Sequence, residues 1–308
     1  MNEGLMARKR IAGYSMLIPA TVLFLLINAF PLVYGLVLSM TDMNYTKPRS
    51  GKFIGLENFR SLLGDSEFWS VMGFTIFYTV MVVLFSYALG LQLAVLLNKN
   101  IKFRGLFRAA ALLPWVIPAV VAAENWRWLL NDQLGLINRT LMRIDVIHEP
   151  ILFLADPDLA RLSVILVAVW KSYPFMMVVL LAGLQSVDNE IYEAACIDGA
   201  SRTRIFWHIT MPMLKPISMI CVTLMALWTF NTLSFDNIYL LTQGGPAGST
   251  YVMSIQSYYI AIYRGKIGYA SAISVMMMVI IALTVLIYWI SQLAAARKTL
   301  SRVGEVNG

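Results

Sequence analysis

The chain has 308 residues, of which 59% are hydrophobic and 13% charged, with a net charge of +7. A water-soluble domain cannot cover that much apolar surface, so the ordinary soluble classes are excluded and a polytopic membrane protein is left. The basic excess does not indicate nucleic-acid binding, because Lys and Arg stand beside apolar runs, as the flanks of membrane helices do.

About 20 apolar residues cross a bilayer. Six stretches qualify, at 11–40, 69–97, 105–130, 161–184, 212–235 and 268–294. They predict an all-α integral membrane fold with six transmembrane helices. Arg8, Lys9 and Arg10 precede the first run, which is too long for a signal-peptide core and lacks a cleavage site at the usual distance; it reads as a retained first helix. Pro19, Pro31, Pro114, Pro118 and Pro174 fall inside predicted spans, where membrane helices tolerate them. Lys99, Lys102, Arg104 and Arg108 link helices 2 and 3, and Arg297, Lys298 and Arg302 follow helix 6. The positive-inside rule makes that side cytoplasmic, with both termini on it. The more acidic loop 131–160 and the charge-balanced loop 41–68 then lie outside.

Within the spans, ionisable residues cost about 2.5–3.5 kcal/mol at the helix centre and mark function by default. Lys171 in helix 4 and Glu124 in helix 3 lie at similar depth and could pair, line a cavity, or lock helices together. Ser86 and Gly90 permit close helix contact in helix 2. Helix 5 carries Leu224, Trp228, Asn231 and Phe235 at spacings of four, three and four, which puts them on one face. An amide among aromatic rings suits a sugar, and Asp236 and Asn237 extend the polar set; the same stripe also suits helix packing. Tyr173 is a weaker member of this group, and Gly244-Gly245-Pro246 opens an external loop.

Between helices 4 and 5 lies a polar stretch, Glu190 to Pro212. Asp188 can cap a short helix, Glu190 suits its first turn, Gly199 suits a sharp turn, and Ser201 can cap a second short helix. Pro212 suits the start of the next membrane helix. A helix-turn-helix at the membrane face is predicted. Cys196 and Cys221 have no metal or redox spacing and read as free thiols. No Gly-x-x-x-x-Gly-Lys-Ser/Thr, His-Glu-x-x-His or Gly-x-Ser-x-Gly motif occurs, so the sequence offers no ATP cradle, no metal set and no catalytic constellation.

The polar stretch reads Glu193-Ala194-Ala195, three residues, Gly199, nine residues, Ile209 and then Pro212. This resembles the EAA loop of the inner-membrane permease subunits of binding-protein-dependent ABC importers. Residues Phe53–Trp69 are similar to the segment between the first two helices of maltose-type sugar permeases. Gly135-Leu136-Ile137-Asn138, Phe235–Thr250 and Gly268-Tyr269-Ala270-Ser271-Ala272 look like further family markers. The resemblance covers nearly the whole chain.

It implies a permease that imports a sugar or sugar derivative and couples to ATPase subunits through Glu193, Ala194, Ala195, Asp198, Gly199, Ile209 and Pro212. It directs substrate contacts toward helix 5, at Trp228, Asn231, Phe235, Asp236 and Asn237, and turns Gly244, Gly245 and Pro246 toward a solute-binding protein; Lys171, Glu124 and Tyr173 join the pathway candidates on their residue chemistry alone. Expected partners are a second, different permease, two ATPase subunits holding ATP and Mg, an external solute-binding protein and the bilayer of the inner membrane. This chain itself is expected to bind no cofactor and to be no enzyme. The implied domains are 1–68 (tail, first helix and external loop), 69–297 (permease domain, helices 2 to 6) and 298–308 (cytoplasmic tail). Alternatives are an importer of the same build for a polyamine, phosphate or amino acid, and a secondary transporter.

Overall fold

The computed structural model describes residues 16–306, so Arg8, Lys9 and Arg10 lie outside the described residues. No strand forms among the described residues; Thr41 and Phe53 make one isolated antiparallel bridge. Five helices are long and apolar enough to cross a membrane: α1 (Met16–Ser39), α3 (Ser66–Asn98), α7 (Pro157–Gln185), α9 (Arg202–Leu241) and α11 (Ile267–Val306, apolar to Ile290). A sixth crossing is a broken pair, α4 (Arg104–Val116) and α5 (Ala119–Leu129), bent by 93°. Shorter helices fill the connections: α2 (Glu57–Leu63), α6 (Leu136–Arg143), α8 (Asn189–Ile197) and α10 (Met253–Ile262).

Two compact units divide the chain. One comprises the residues up to Phe68 together with Gln256–Val279. Here backbone that leaves α1 is held by side chains. Asn58 Nδ2 donates to the carbonyls of Ser39 and Thr41 at 2.8 Å each, so the first turn of α2 secures the end of α1. Asp42 Oδ1 accepts from the amides of Gly51 and Lys52 at 2.7 and 2.6 Å and closes the loop between them. Gly268 N donates to Met43 O at 3.0 Å, and Tyr269 OH donates to Asp65 Oδ2 at 3.0 Å. The Phe53–Trp69 and Gly268–Ala272 markers thus meet within this unit.

The other unit comprises Trp69–Ile255 and the residues from Ile280. Its core lies among α3, α7 and α9: Val83, Ala94, Leu97, Met176, Met177, Leu180, Leu184, Leu214, Cys221 and Met225 are buried together. In lipid this contact is stabilised by close packing rather than by escape from water. Gly90 carries that closeness, because a Cβ there would lie 2.6 Å from Met176 Cβ. Asp156 starts α7: its Oδ1 accepts from the amides of Asp158 and Leu159 at 3.0 and 2.9 Å. α7 therefore begins earlier than the sequence pattern predicts.

Two predicted boundaries are corrected. The third span is not one helix over 105–130. Ile117 is extended, with ψ 131°, because Pro118 disfavours the helical conformation in the residue before it, and the chain bends there. Helix 5 does not start at 212 either; it runs unbroken from Arg202 to Leu241. A widened π turn over Phe206–Thr210 precedes Pro212, and a second spans Thr229–Leu233. Pro212 has no N–H for the carbonyl four residues back and its ring crowds that carbonyl, and a widened turn relieves the clash without ending the helix.

Candidate functional site

The polar connector between α7 and α9 folds as the sequence predicts in its main features. Asp188 holds the extended conformation of a helix cap at ψ 130°, but its side chain makes no capping bond, so that part of the expectation fails. Glu190 lies in the first turn of α8, where the helix dipole favours its charge. At the other end Gly199 takes φ +73°. Its amide bonds the carbonyl of Cys196 at 3.1 Å, and Ala200 N bonds that of Ala195 at 3.0 Å. These two bonds are a Schellman close, and the left-handed residue it requires explains the glycine. Ser201 Oγ then accepts from Arg204 N at 3.3 Å and starts α9.

Only part of this connector is secured to the chain. Ala195 is buried, and Thr210 Oγ1 donates to Tyr192 OH at 3.4 Å. Glu193, Ala194, Asp198 and Gly199 are exposed, and neither of the two ion pairs among the described residues includes Glu193. Ile197 is 86% exposed and Trp207 59% exposed. Ile209 is half-buried in the π turn, and Pro212 is exposed. A short helix thus offers one acidic and several apolar or small residues outward, with no neighbour of its own chain covering them. Exposed apolar side chains on an otherwise polar connector mark a contact surface.

The predicted stripe on α9 faces away from the core. Leu224, Trp228 and Asn231 are exposed and Phe235 is half-buried, whereas Met225, Thr229 and Phe230 between them are buried. Trp228 packs on Phe175 at 5.0 Å between ring centroids, and Phe175 on Trp115 at 6.2 Å, so one aromatic row joins α9, α7 and α4. Phe235 stacks on Tyr239 at 5.2 Å. Asn231 lies in the second π turn, a distortion frequent at functional sites. Asp236 is exposed and Tyr173 half-buried.

Three of the predicted pathway residues, and the predicted external turn, are otherwise engaged. Asn237 Nδ2 donates to Tyr78 OH at 3.1 Å and to Val164 O at 2.9 Å, tying α9 to α3 and α7. Glu124 does not meet Lys171; it pairs with Arg127 at 3.0 Å, one turn along α5, beside an open cavity of about 390 Å³. Lys171 Nζ instead donates to the carbonyls of Pro114 and Ile117 at the α4–α5 bend. Gly244 is buried in a folded-back turn, where Thr250 Oγ1 donates to Gly245 O at 2.8 Å and also meets Thr242 Oγ1 at 2.8 Å. Arg161 fixes that turn to α7 by donating to Ser249 O at 2.9 Å. Gly245 and Pro246 are half-buried in it.

Residues 86–298 match the model of the binding-protein-dependent transport system inner membrane component. The chain belongs to that family. This permease is 34% identical to the trehalose/maltose transport system permease protein MalF of Thermococcus litoralis, over 94% of the chain and 96% of the relative. It is 33% identical to the trehalose transport system permease protein SugA of Mycobacterium tuberculosis, over 92% and 89%. With the sulfoquinovosyl glycerol transport system permease protein SmoG of Agrobacterium fabrum it shares 32% identity, over 87% and 86%. In fold it is similar to a chain of a bacterial alginate ABC transporter, with a TM-score of 0.80 over 91% and 93% of the two chains and 23% identity.

The sequence reading of the permease missed three features. Pro118 marked the place of the α4–α5 bend without deciding between a kink and a break, and Lys171 was matched by depth to Glu124 rather than to the carbonyls it meets. Outward Ile197 and Trp207 were not legible, because an apolar residue in a connector reads equally well as buried. The inward role of Asn237 depends on Tyr78, which is 159 residues away in sequence.

Proposed function

We propose that the chain is the membrane-spanning subunit of an ATP-driven, binding-protein-dependent importer of a sugar or sugar derivative. The observation that carries this reading is α8: a Schellman-closed helix with Glu193 exposed and Ile197 86% exposed, joined to a 40-residue membrane helix. It is the surface on which an ATPase subunit docks. Glu193, Ala194, Ala195, Asp198, Gly199, Ile209 and Pro212 form or shape that contact. Nucleotide binding draws two ATPase subunits together, each α8 follows its groove, and the attached helices change the side to which the pathway opens.

The sugar reading is supported by the relatives named for trehalose, maltose and sulfoquinovosyl glycerol. It is also supported by the row of exposed Trp228 and Asn231 and half-buried Phe235 on α9, where aromatic faces meet the C–H surface of a sugar and the amide its hydroxyls. The pathway forms against a second permease. A solute-binding protein delivers the substrate near the Gly244–Pro246 turn, and ATP and Mg are held by the ATPase subunits rather than by this chain. α8 and both termini face the cytoplasm, the domain division follows 1–68, 69–297 and 298–308, and the chain resides in the inner membrane.

The test is cross-linking in cells that take up the solute. Ile197→Cys, with Cys196 changed to Ser, joined to a short thiol-to-amine reagent, captures an ATPase subunit. Capture of no nucleotide-binding protein during active uptake overturns the assignment of α8.

A further inference from the structure

Three span ends meet at one level of the molecule: α3 ends at Asn98, α4 begins at Arg104, and α7 ends at Gln185. Arg104 and Arg108 stand four residues apart, on one face of α4. With its amide oxygen turned toward them, Gln185 Oε1 accepts from Nη2 of both arginines at 2.8 Å each. Arg108 Nη2 also donates to Leu97 O at 3.2 Å. Two guanidinium ions therefore share one neutral acceptor. The Nε of each is buried without a partner. Neither ion pair among the described residues includes Arg104 or Arg108.

Like charges four residues apart destabilise a helix unless something neutralises them. The start of α4 adds to the demand, since it has no side-chain cap and its first amides favour an anion. The surroundings identify the kind of anion. Phe103 is 76% and Leu106 68% exposed, and Phe107 is exposed beside them. A free ion would leave that apolar collar bare. A phospholipid covers it with acyl chain while its phosphate takes the guanidinium forks, the geometry arginine suits best.

We propose that Arg104, Arg108 and Gln185 form a binding site for the phosphate of an anionic phospholipid, with Phe103 and Leu106 against its acyl chains. The site lies between span ends, where basic pockets recognise anionic headgroups. It is independent of the solute carried and of the docking role of α8.

The test uses the full-length chain, with whatever subunits purify with it, in nanodiscs containing equal phosphatidylglycerol and phosphatidylcholine. Lipid retained after extraction is counted by native mass spectrometry. The wild type retains phosphatidylglycerol in preference to phosphatidylcholine. Arg104→Gln weakens this roughly fivefold, the effect of one basic charge near the surface. It spares the Arg108–Leu97 bond that joins α3 to α4. The Arg104→Gln/Arg108→Gln double variant removes the preference altogether.

Equal retention in the wild type and Arg104→Gln overturns the proposal. So does displacement of bound phosphatidylglycerol by millimolar inorganic phosphate, which would make this a free-anion site. Capture of a co-purifying protein chain by Arg104→Cys, with no bound lipid, overturns it in favour of a protein carboxylate. Should Arg104→Gln yield no monodisperse protein, wild-type protein titrated with each lipid decides: phosphatidylglycerol raises Tm above the value in phosphatidylcholine, and equal Tm values overturn the site.

Discussion

Lys171 Nζ lies 2.9 Å from the carbonyl oxygen of Pro114, and it also donates to that of Ile117. In a continuous helix the carbonyl of Pro114 would accept from residue 118, which is proline and has no N–H. The ammonium group of α7 supplies the missing donor. A charge that would be costly alone inside a membrane is thus bound to two carbonyls that would be costly alone as well.

Lys171→Met should therefore lower the stability of the α4–α5 bend. Two carbonyls lose a charged donor, an effect of about 1–3 kcal/mol. In detergent Tm falls, and Lys171→Gln, which keeps an N–H donor, lies between Lys171→Met and the wild type. Equal Tm values for Lys171→Met and the wild type would show that the two bonds contribute nothing net.

Asn237 and Asn231 are six residues apart on α9 and predict opposite outcomes. Asn237 bonds Tyr78 and Val164, whereas Asn231 faces outward. Asn237→Leu should cost about 1–3 kcal/mol in stability, because Tyr78 OH and Val164 O lose their partner. Uptake per folded molecule should stay near normal. Asn231→Ala should leave Tm within a degree or so and raise the KM for uptake several-fold. Reversed results would exchange the two roles.

Gly199 separates backbone strain from contact. A Cβ there meets nothing within 4 Å in this chain, so any cost of replacement is conformational, about 1–2 kcal/mol for a residue held left-handed. Gly199→Asn, which tolerates that conformation, should import nearly as well as the wild type. Gly199→Val should reach the membrane yet lose coupling between ATP hydrolysis and uptake. Equal uptake by both variants would remove the Schellman close from the mechanism.

Glu193 is exposed and outside both ion pairs of the described residues. Glu193→Lys should then leave stability within about 0.5 kcal/mol, as surface changes do. Uptake should fall about tenfold or more in membranes that still contain the chain. Compensation by an acidic substitution in the ATPase subunit would identify the partner charge.

The sequence was most informative where physics is local. Apolar runs of bilayer length located the crossings, and Gly199 and Ser201 located the turn and the second helix start, because a left-handed close and a hydroxyl cap each demand a particular residue. It was least informative where distant segments decide. Asp188 has the cap backbone but no side-chain bond, since α8 can also begin without one. Pro118 permitted either a tolerated kink or a break, and the choice rests on a donor 54 residues away from Ile117. Asn237 belongs to the predicted polar set by spacing, yet Tyr78 draws it inward.

The unbroken run of α9 has a mechanical corollary. At 1.5 Å per residue, Ile209 and Asn231 are separated by roughly 33 Å of one continuous helix. Pro216 lies between them and each end sits in a π turn, so the run is continuous but bends most readily at those three points. A displacement at the Ile209 end therefore reaches the aromatic row through hydrogen-bonded backbone, lessened by whatever bending those points allow.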